Sequence, residues 1–305
     1  GLDYWSQLTV LEIVAEACAS TAWAVAQTAE VAECLCKHGS GAQKEQILSV
    51  LPGGVLASAA GEDSPYGAPA KFAVTAQKTS AGYVLNGVKR NVTGIGNCEW
   101  YLVAAQSESG LVWVTVNCAA AGLKAEPKET KLGMRGCSFG ELTFDRCEVP
   151  DDMVLFGNVA ATLNAAQTLN MAAIAEGIAQ GAIHEAIQYI NQRIQFGKTI
   201  AQFENTQHVM ADLIAKSEAA RALVWQAAQV KDSGADYAFA AALAKLMATD
   251  AASIVTRKCV QFMGGYGYSR EYPVERKMRD AKMTELLGGA SIIQRDLVAA
   301  EAVVR

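Results

Sequence analysis

The apolar pattern of this chain changes period twice, and few architectures accommodate that. Residues 5 to 50 are Ala- and Leu-rich, contain no Pro, and repeat polar residues at helical intervals. This predicts two helices separated near Gly39-Ser40-Gly41. From 54 to 152 the text alternates instead. Phe72-Ala73-Val74-Thr75-Ala76 and Gly82-Tyr83-Val84-Leu85-Asn86-Gly87 read as strands, with Asn86-Gly87 as a hairpin turn. Trp100 to Ala105, Leu111 to Val116 and Glu141 to Asp145 continue the pattern up to Val149-Pro150. From about residue 158 the helical period returns to the end, with Gly-containing breaks at 233–234 and 264–267. The expected organisation is α+β: a helical N-terminal part over 1–53, a β domain over 54–152 and a helical bundle over 153–305.

Composition removes several classes. With 305 residues, 51% hydrophobic and 19% charged, the chain can bury a substantial core and is not disordered. A net charge of -5 argues against nucleic acid, since phosphate binding needs clustered Lys and Arg. The eight cysteines are scattered and none forms a CxxC pair, while the three histidines, His38, His184 and His208, are isolated. Reduced core cysteines in a cytoplasmic protein and no metal site are therefore expected. No apolar run approaches the roughly 20 residues of a membrane span.

Two segments carry chemistry. Arg193-Ile194-Gln195-Phe196-Gly197-Lys198 places a guanidinium, suited to bidentate phosphate contact, beside an aromatic ring. Gln261-Phe262-Met263-Gly264-Gly265-Tyr266-Gly267-Tyr268 supplies an amide and two glycines that leave backbone N–H groups open to a phosphate. Taken singly, Arg193 reads more readily as a solvated helix-end cation and the glycines as a plain turn.

Together these segments resemble two flavin-contacting motifs of the acyl-CoA dehydrogenase family. Further matches follow in order: Gly1-Leu2-Asp3-Tyr4, Leu85-Asn86-Gly87-Val88-Lys89, Lys131-Leu132-Gly133-Met134-Arg135-Gly136 and Met278-Arg279-Asp280-Ala281-Lys282. The resemblance spans essentially the whole chain. It implies a helical N-terminal part lacking the first helices, a β-barrel-like middle domain and a C-terminal four-helix bundle. It also implies FAD, an acyl-CoA substrate, an oligomer and electron-transfer flavoprotein as a possible acceptor.

In that family a subunit grips its neighbour's FAD at the adenosine and pyrophosphate end. The resemblance assigns this outer grip to Arg193, Phe196, Gln261, Gly264 and Gly265. The inner grip on a subunit's own flavin is poorer here. Thr93 keeps the hydroxyl aimed at the flavin ring, but Asn91 stands for a Trp, and Gly61 for a hydroxyl residue before Glu62. Ala290 and Ile292 stand for a Thr and a Gln, and Glu204 for an outer Gln.

The catalytic glutamate is absent from both places the family uses. The usual position is Gly288, and the alternate one on an earlier helix is Gln167, beside Thr168 in place of an Arg. Glu62, Glu176 and Glu285 are the substitutes to weigh. Glu176 lies nine residues from Gln167, about half a turn out of phase on a 3.6-residue helix. Removing an α-proton needs a poised carboxylate, so the expected role is one subunit of a heteromeric, dimer-of-dimers enzyme, with partner-supplied base and inner flavin site. The alternatives are a self-sufficient base-free flavoenzyme, such as a desulfinase or an oxygen-using enzyme, and a non-enzymatic scaffold.

Weaker patterns are read plainly. Tyr268-Ser269-Arg270-Glu271-Tyr272-Pro273 extends the glycine motif or forms a turn. Glu185/Gln188 and Glu218/Arg221 are expected as helix-surface contacts, and Lys128-Glu129-Thr130-Lys131 as a solvated loop.

Overall fold

The computed structural model of the chain describes residues 3–54, 57–60, 72–127 and 130–303. Gly1, Leu2, Gly61, Glu62, Lys128 and Glu129 lie outside the described residues. Two compact units emerge: residues 1–23, 132–134 and 167–305 in the first, and 24–131 with 135–166 in the second.

The N-terminal text forms α1 (Tyr4–Ala17) and α2 (Ala19–His38). Asp3 caps α1 by accepting the Ser6 N–H. The division between these helices falls at Cys18, not near Gly39-Ser40-Gly41. Cys18 is extended, at φ -151° and ψ 101°, and its sulfur takes hydrogen bonds from Thr21 and from the Ser20 and Thr21 backbone. It therefore acts as a helix cap in a stretch without Gly or Pro, which explains why no breaker marks the boundary. The Gly39–Gly41 segment instead ends α2, and Ser40 and Gln43 form a capping box on the short α3 (Gly41–Gln43).

The second unit is built on an eight-stranded sheet. Its strands are β1 (Ala57–Ala60), β2 (Thr75–Lys78), β3 (Gly82–Thr93), β4 (Trp100–Ser107), β5 (Gly110–Asn117), β6 (Leu123–Pro127), β7 (Phe139–Pro150) and β8 (Val154–Leu155). Spatial order is β6-β7-β3-β2-β4-β5-β8, and β1 pairs parallel with β4. The two-residue side-chain period sorts β4 between two cores. Tyr101, Val103 and Ala105 join Leu85, Val114 and Phe144, whereas Trp100, Leu102 and Ala104 join Val31, Leu35, Ile47 and Leu163.

Asn86-Gly87 is not a hairpin turn. Both residues lie inside β3, where the register against β7 shifts between Leu85 and Gly87. Gly87 has φ +127°, and a Cβ there would meet the Ala73 carbonyl oxygen at 2.3 Å. The pair is thus a bulge that admits a neighbouring backbone. Asn86 Oδ1 accepts the Arg146 N–H at 2.8 Å. The real turn, Thr79–Ala81, joins β2 to β3, with the Thr79 N–H donating to the Gly82 carbonyl at 2.9 Å. The strand expected at Phe72–Ala76 is displaced accordingly to Thr75–Lys78.

The first unit is helical: α4 (Val159–Gln192, whose first residues belong to the second unit), α5 (Glu204–Asp232), α6 (Ala238–Met263), α7 (Gly265–Tyr268), α8 (Val274–Thr284) and α9 (Ser291–Ala302). A small hairpin of β9 (Ile194–Gln195) and β10 (Lys198–Thr199) follows α4. Buried alanines recur seven apart, as at Ala172, Ala179 and Ala186 on α4 and Ala220 and Ala227 on α5. Small side chains in one stripe let helices approach closely and interlock. α6 is long and apolar enough to cross a membrane by composition, with half of its most apolar window buried. That face carries Ala241, Ala244, Ala248, Ala252 and Val255.

All eight cysteines are free. Cys34, Cys98, Cys137, Cys147 and Cys259 are buried as expected, but Cys36 and Cys118 are exposed and are not core residues. His38 pairs with Thr162 at 2.9 Å and His184 with Glu16, and no metal cluster exists among the described residues. Glu185 does not make its contact with Gln188. It faces Lys277 on α8 at 3.4 Å, because Lys277 is a buried cation that needs an anionic neighbour.

Candidate functional site

The loop between α8 and α9 decides what can stand at position 288. Gly288 and Gly289 have φ of +66° and +79°, a left-handed region that L side chains seldom adopt. A Cβ on Gly288 would lie 2.6 Å from the Gln167 carbonyl oxygen and 3.2 Å from the Met171 Cβ. The loop therefore passes directly over α4 with no room for a side chain. Its Gly288 carbonyl is held by the Thr168 hydroxyl at 3.1 Å and by Gln294 Nε2 at 3.4 Å. Both are uncharged polar side chains buried in this unit.

The three carboxylates weighed as substitutes have distinct fates. Glu62 lies outside the described residues. Glu285 is only partly exposed and pairs with Lys282 at 2.6 Å. Glu176 is fully buried on the face of α4 turned toward α5, where Ser217 and Gln180 donate to its Oε1. Burial pushes its pKa up to about 7, helped by the nearby charges of Glu12 and Glu218. Gln167 instead touches the Gly288 loop, so the two positions occupy opposite faces of one helix.

The Arg193 region is built differently. Arg193 leaves the end of α4 with its N–H still bonded to the Tyr189 carbonyl at 2.9 Å. Its guanidinium stands 5.9 Å from the centre of the Tyr266 ring. Tyr189, Tyr266 and Tyr272 form a cluster with ring centres 5.5 to 6.3 Å apart. A cleft of about 500 Å³ is lined by Tyr189, Arg193, Gln195, Gly264, Gly265 and Tyr266, among others. Gly264, at φ +58° and ψ -133°, turns the chain out of α6 in a conformation open only to glycine. Gly265 has open space where a Cβ would be, whereas Gly267 packs against the Val260 carbonyl. A cation, an aromatic wall and a bare backbone thus converge, which is an arrangement that holds an anionic, ring-bearing ligand.

The other residues singled out by sequence are placed less centrally. Gln261 is exposed on α6, its carbonyl taking the Gly264 N–H at 3.1 Å, and it does not line this cleft. Phe196 and Gly197 form the two-residue tip between β9 and β10, with φ +52° and +77°. Such a primed turn wants Asn or Gly at its first position, yet a Phe stands there with its side chain 93% exposed. In the second unit, Thr93 closes β3 and is almost fully buried opposite Phe139. Asn91 is exposed at φ +56°, in a bulge between Lys89 and Val92. Asn tolerates that backbone better than the bulkier residues do.

Sequence reasoning missed the tyrosine cluster and a buried Lys245. Tyr189 stands four residues before Arg193 and therefore on the same helix face, a spacing that marks it in retrospect. Lys245 is the first charge in the apolar text of α6, twelve residues before the Arg257-Lys258 pair near its end.

Comparison with known proteins fits this architecture. Residues 58–147 match the family model described as acyl-CoA dehydrogenase, middle domain, and residues 157–303 match the acyl-CoA dehydrogenase C-terminal domain. The probable acyl-CoA dehydrogenase fadE25 of Mycobacterium leprae is 36% identical, over 100% of this chain and 82% of that protein. The structure of butyryl-CoA dehydrogenase from Megasphaera elsdenii superposes with a TM-score of 0.95 at 33% identity, covering 100% of this chain and 83% of that one. A chain solved in work on the electron transferring flavoprotein of Acidaminococcus fermentans gives 0.96 at 31% identity, covering 100% and 84%. The fold is that of a flavin-dependent oxidoreductase. The chain belongs to the acyl-CoA dehydrogenase family, which uses FAD to dehydrogenate acyl-CoA thioesters.

Proposed function

We propose that this chain is one subunit of a heteromeric acyl-CoA dehydrogenase and lends an outer FAD grip to a homologous partner, in a dimer-of-dimers. The observation that carries this reading is the contrast between its two candidate sites. The Arg193–Gly264–Gly265 cleft is open and suited to a dinucleotide's anionic end. The Gly288 loop, by contrast, is closed to any side chain. A chain that made its own base would not be expected to bar a Cβ at that position.

The cleft fits the cofactor's pyrophosphate on its own chemistry. Arg193 can donate two parallel hydrogen bonds to phosphate oxygens. Gly264 and Gly265 let backbone N–H groups come close, and Tyr266 offers a ring beside the guanidinium. Phe196 and Gln261 would add apolar and amide contacts from the adjoining hairpin and helix. Thr93 would serve the flavin ring, as the family resemblance assigns it. Bound FAD would supply the acceptor for the hydride that leaves the β-carbon of the thioester. The carboxylate that removes the α-proton would come from the partner subunit, since Gly288 and Gln167 have no basic group to offer.

Likeness to a chain studied with an electron transferring flavoprotein supports such a protein as the electron acceptor. Free cysteines throughout support a reducing, cytoplasmic setting.

The test is expression of the chain alone and together with a homologous acyl-CoA dehydrogenase from the same genome. A stoichiometric complex carrying FAD and turning over acyl-CoA is expected only from the pair. Within it, Arg193→Ala should weaken FAD retention about tenfold to a hundredfold, the worth of one charged hydrogen-bonded contact. A lone chain that purifies as an FAD-loaded, active homotetramer would establish the base-free enzyme instead. Unchanged FAD retention in Arg193→Ala would point to a scaffold.

A further inference from the structure

Lys245 is fully buried in the N-terminal third of α6, with Ala241, Ala244 and Ala248 buried around it. Among the described residues its Nζ faces no carboxylate. It donates to three successive carbonyl oxygens, those of Leu287, Gly288 (2.9 Å) and Gly289. These oxygens converge because Gly288 and Gly289 both turn left-handed, at φ +66° and +79°. Carbonyl dipoles aimed at one point repel one another unless positive charge stands there. Burial draws the Lys245 pKa down to about 7, while its three acceptors favour the ammonium.

The geometry points to Lys245 as the positioning residue of the Leu287–Gly289 loop: an internal ammonium that takes the place of a bound cation and folds three carbonyls around itself. The loop is the segment equated above with the family's base-bearing stretch. Thr168 and Gln294 add donors to the same oxygens, but neither carries charge. Because Lys245 acts through the backbone, its role is the same whatever residue stands at 288. It is also independent of which subunit holds the flavin ring.

The experiment uses the full chain. In Lys245→Ala, amide exchange over residues 287–291 should quicken about tenfold or more while β3 keeps its protection, as expected for a local opening. Ethylammonium chloride should restore the slow exchange by filling the space with a cation, and sodium chloride at equal ionic strength should not. Unchanged loop protection in the variant, or equal restoration by sodium chloride, overturns the proposal. Should the alanine variant not fold, the parent chain decides. At pH 6, below the lowered Lys245 pKa, a slowly exchanging Lys245 ammonium seen by nitrogen NMR supports the assignment, and a neutral or rapidly exchanging amine overturns it.

Discussion

The carbonyl oxygen of Gln167 lies 2.6 Å from where a Cβ on Gly288 would be. These are the two positions at which the family resemblance seeks a catalytic glutamate, and here the backbone of one excludes a side chain from the other. The obstruction lies at the Cβ itself and is compounded by φ +66°. Gly288→Ala and Gly288→Glu should therefore destabilise the chain by similar amounts, about 1–3 kcal/mol, the usual range for a strained backbone. Urea unfolding of both variants measures this. A well-tolerated Gly288→Glu that gains dehydrogenase activity would show that the loop yields readily.

Phe196 leads to a prediction of opposite sign. It stands at φ +52° on a hairpin tip with almost its whole ring exposed. Neither turn preference nor burial explains a Phe there, whereas the proposed FAD contact would. Phe196→Gly should stabilise the isolated chain by about 1 kcal/mol, because glycine adopts that conformation freely. The same change should weaken FAD retention in the assembled enzyme. Thermal unfolding and FAD titration read the two effects separately.

What the sequence could reveal was governed by how local the cause was. Strand alternation in β4 and the helical stripes of α4 and α5 report a nearby core, so they were legible. Asn86-Gly87 looked like a hairpin turn because that rule sees two residues. The structure uses Gly87 to admit the Ala73 backbone, a contact set by chain distant from the pair. The α1/α2 boundary escaped for the converse reason, since a Cys cap leaves no Gly or Pro to read. Arg193, Gly264 and Gly265, singled out in the sequence by the family resemblance, line one cleft in the structure. The tyrosine cluster, by contrast, needed three segments to converge. The replacement at 288 was visible as a letter, but its left-handed φ, and hence its intolerance of any side chain, was not.

Glu176 makes stability depend on pH with a defined sign. Its ordinary value of 4.5 is raised to about 7 by burial, so folding takes up a proton. The contribution is complete below about 4.5 and is lost as pH rises through about 7. The groups facing it are Gln180 on α4, Ser217 and Glu218 on α5, and Glu12 on α1, itself paired with Arg221 at 2.7 Å. Glu176→Gln keeps the acceptor for Ser217 and removes the titration. It should be near neutral at pH 4.5 and stabilising by about 3 kcal/mol at pH 8, from a rise of about 2.5 units at roughly 1.4 kcal/mol each. Denaturant midpoints across that range test it, and a pH-independent difference would contradict the buried carboxyl's role.

Gly265 separates a nucleotide contact from a plain turn. Gly264 cannot do so, because its backbone at φ +58° and ψ -133° makes any substitution costly to the fold. Gly265 has neither handicap: a Cβ there meets nothing within 4 Å. Its φ also lies outside the positive range, so Gly265→Ala should change stability by less than about 0.5 kcal/mol. The methyl nevertheless enters the cleft beside Arg193 and Tyr266, where close approach of a phosphate to bare backbone is expected. FAD affinity of the assembled enzyme should then fall about tenfold, an effect that a structural turn has no means to produce. Equal FAD affinity in parent and variant would reduce the glycine pair to the end of α6 and leave Arg193 as the cleft's sole phosphate ligand.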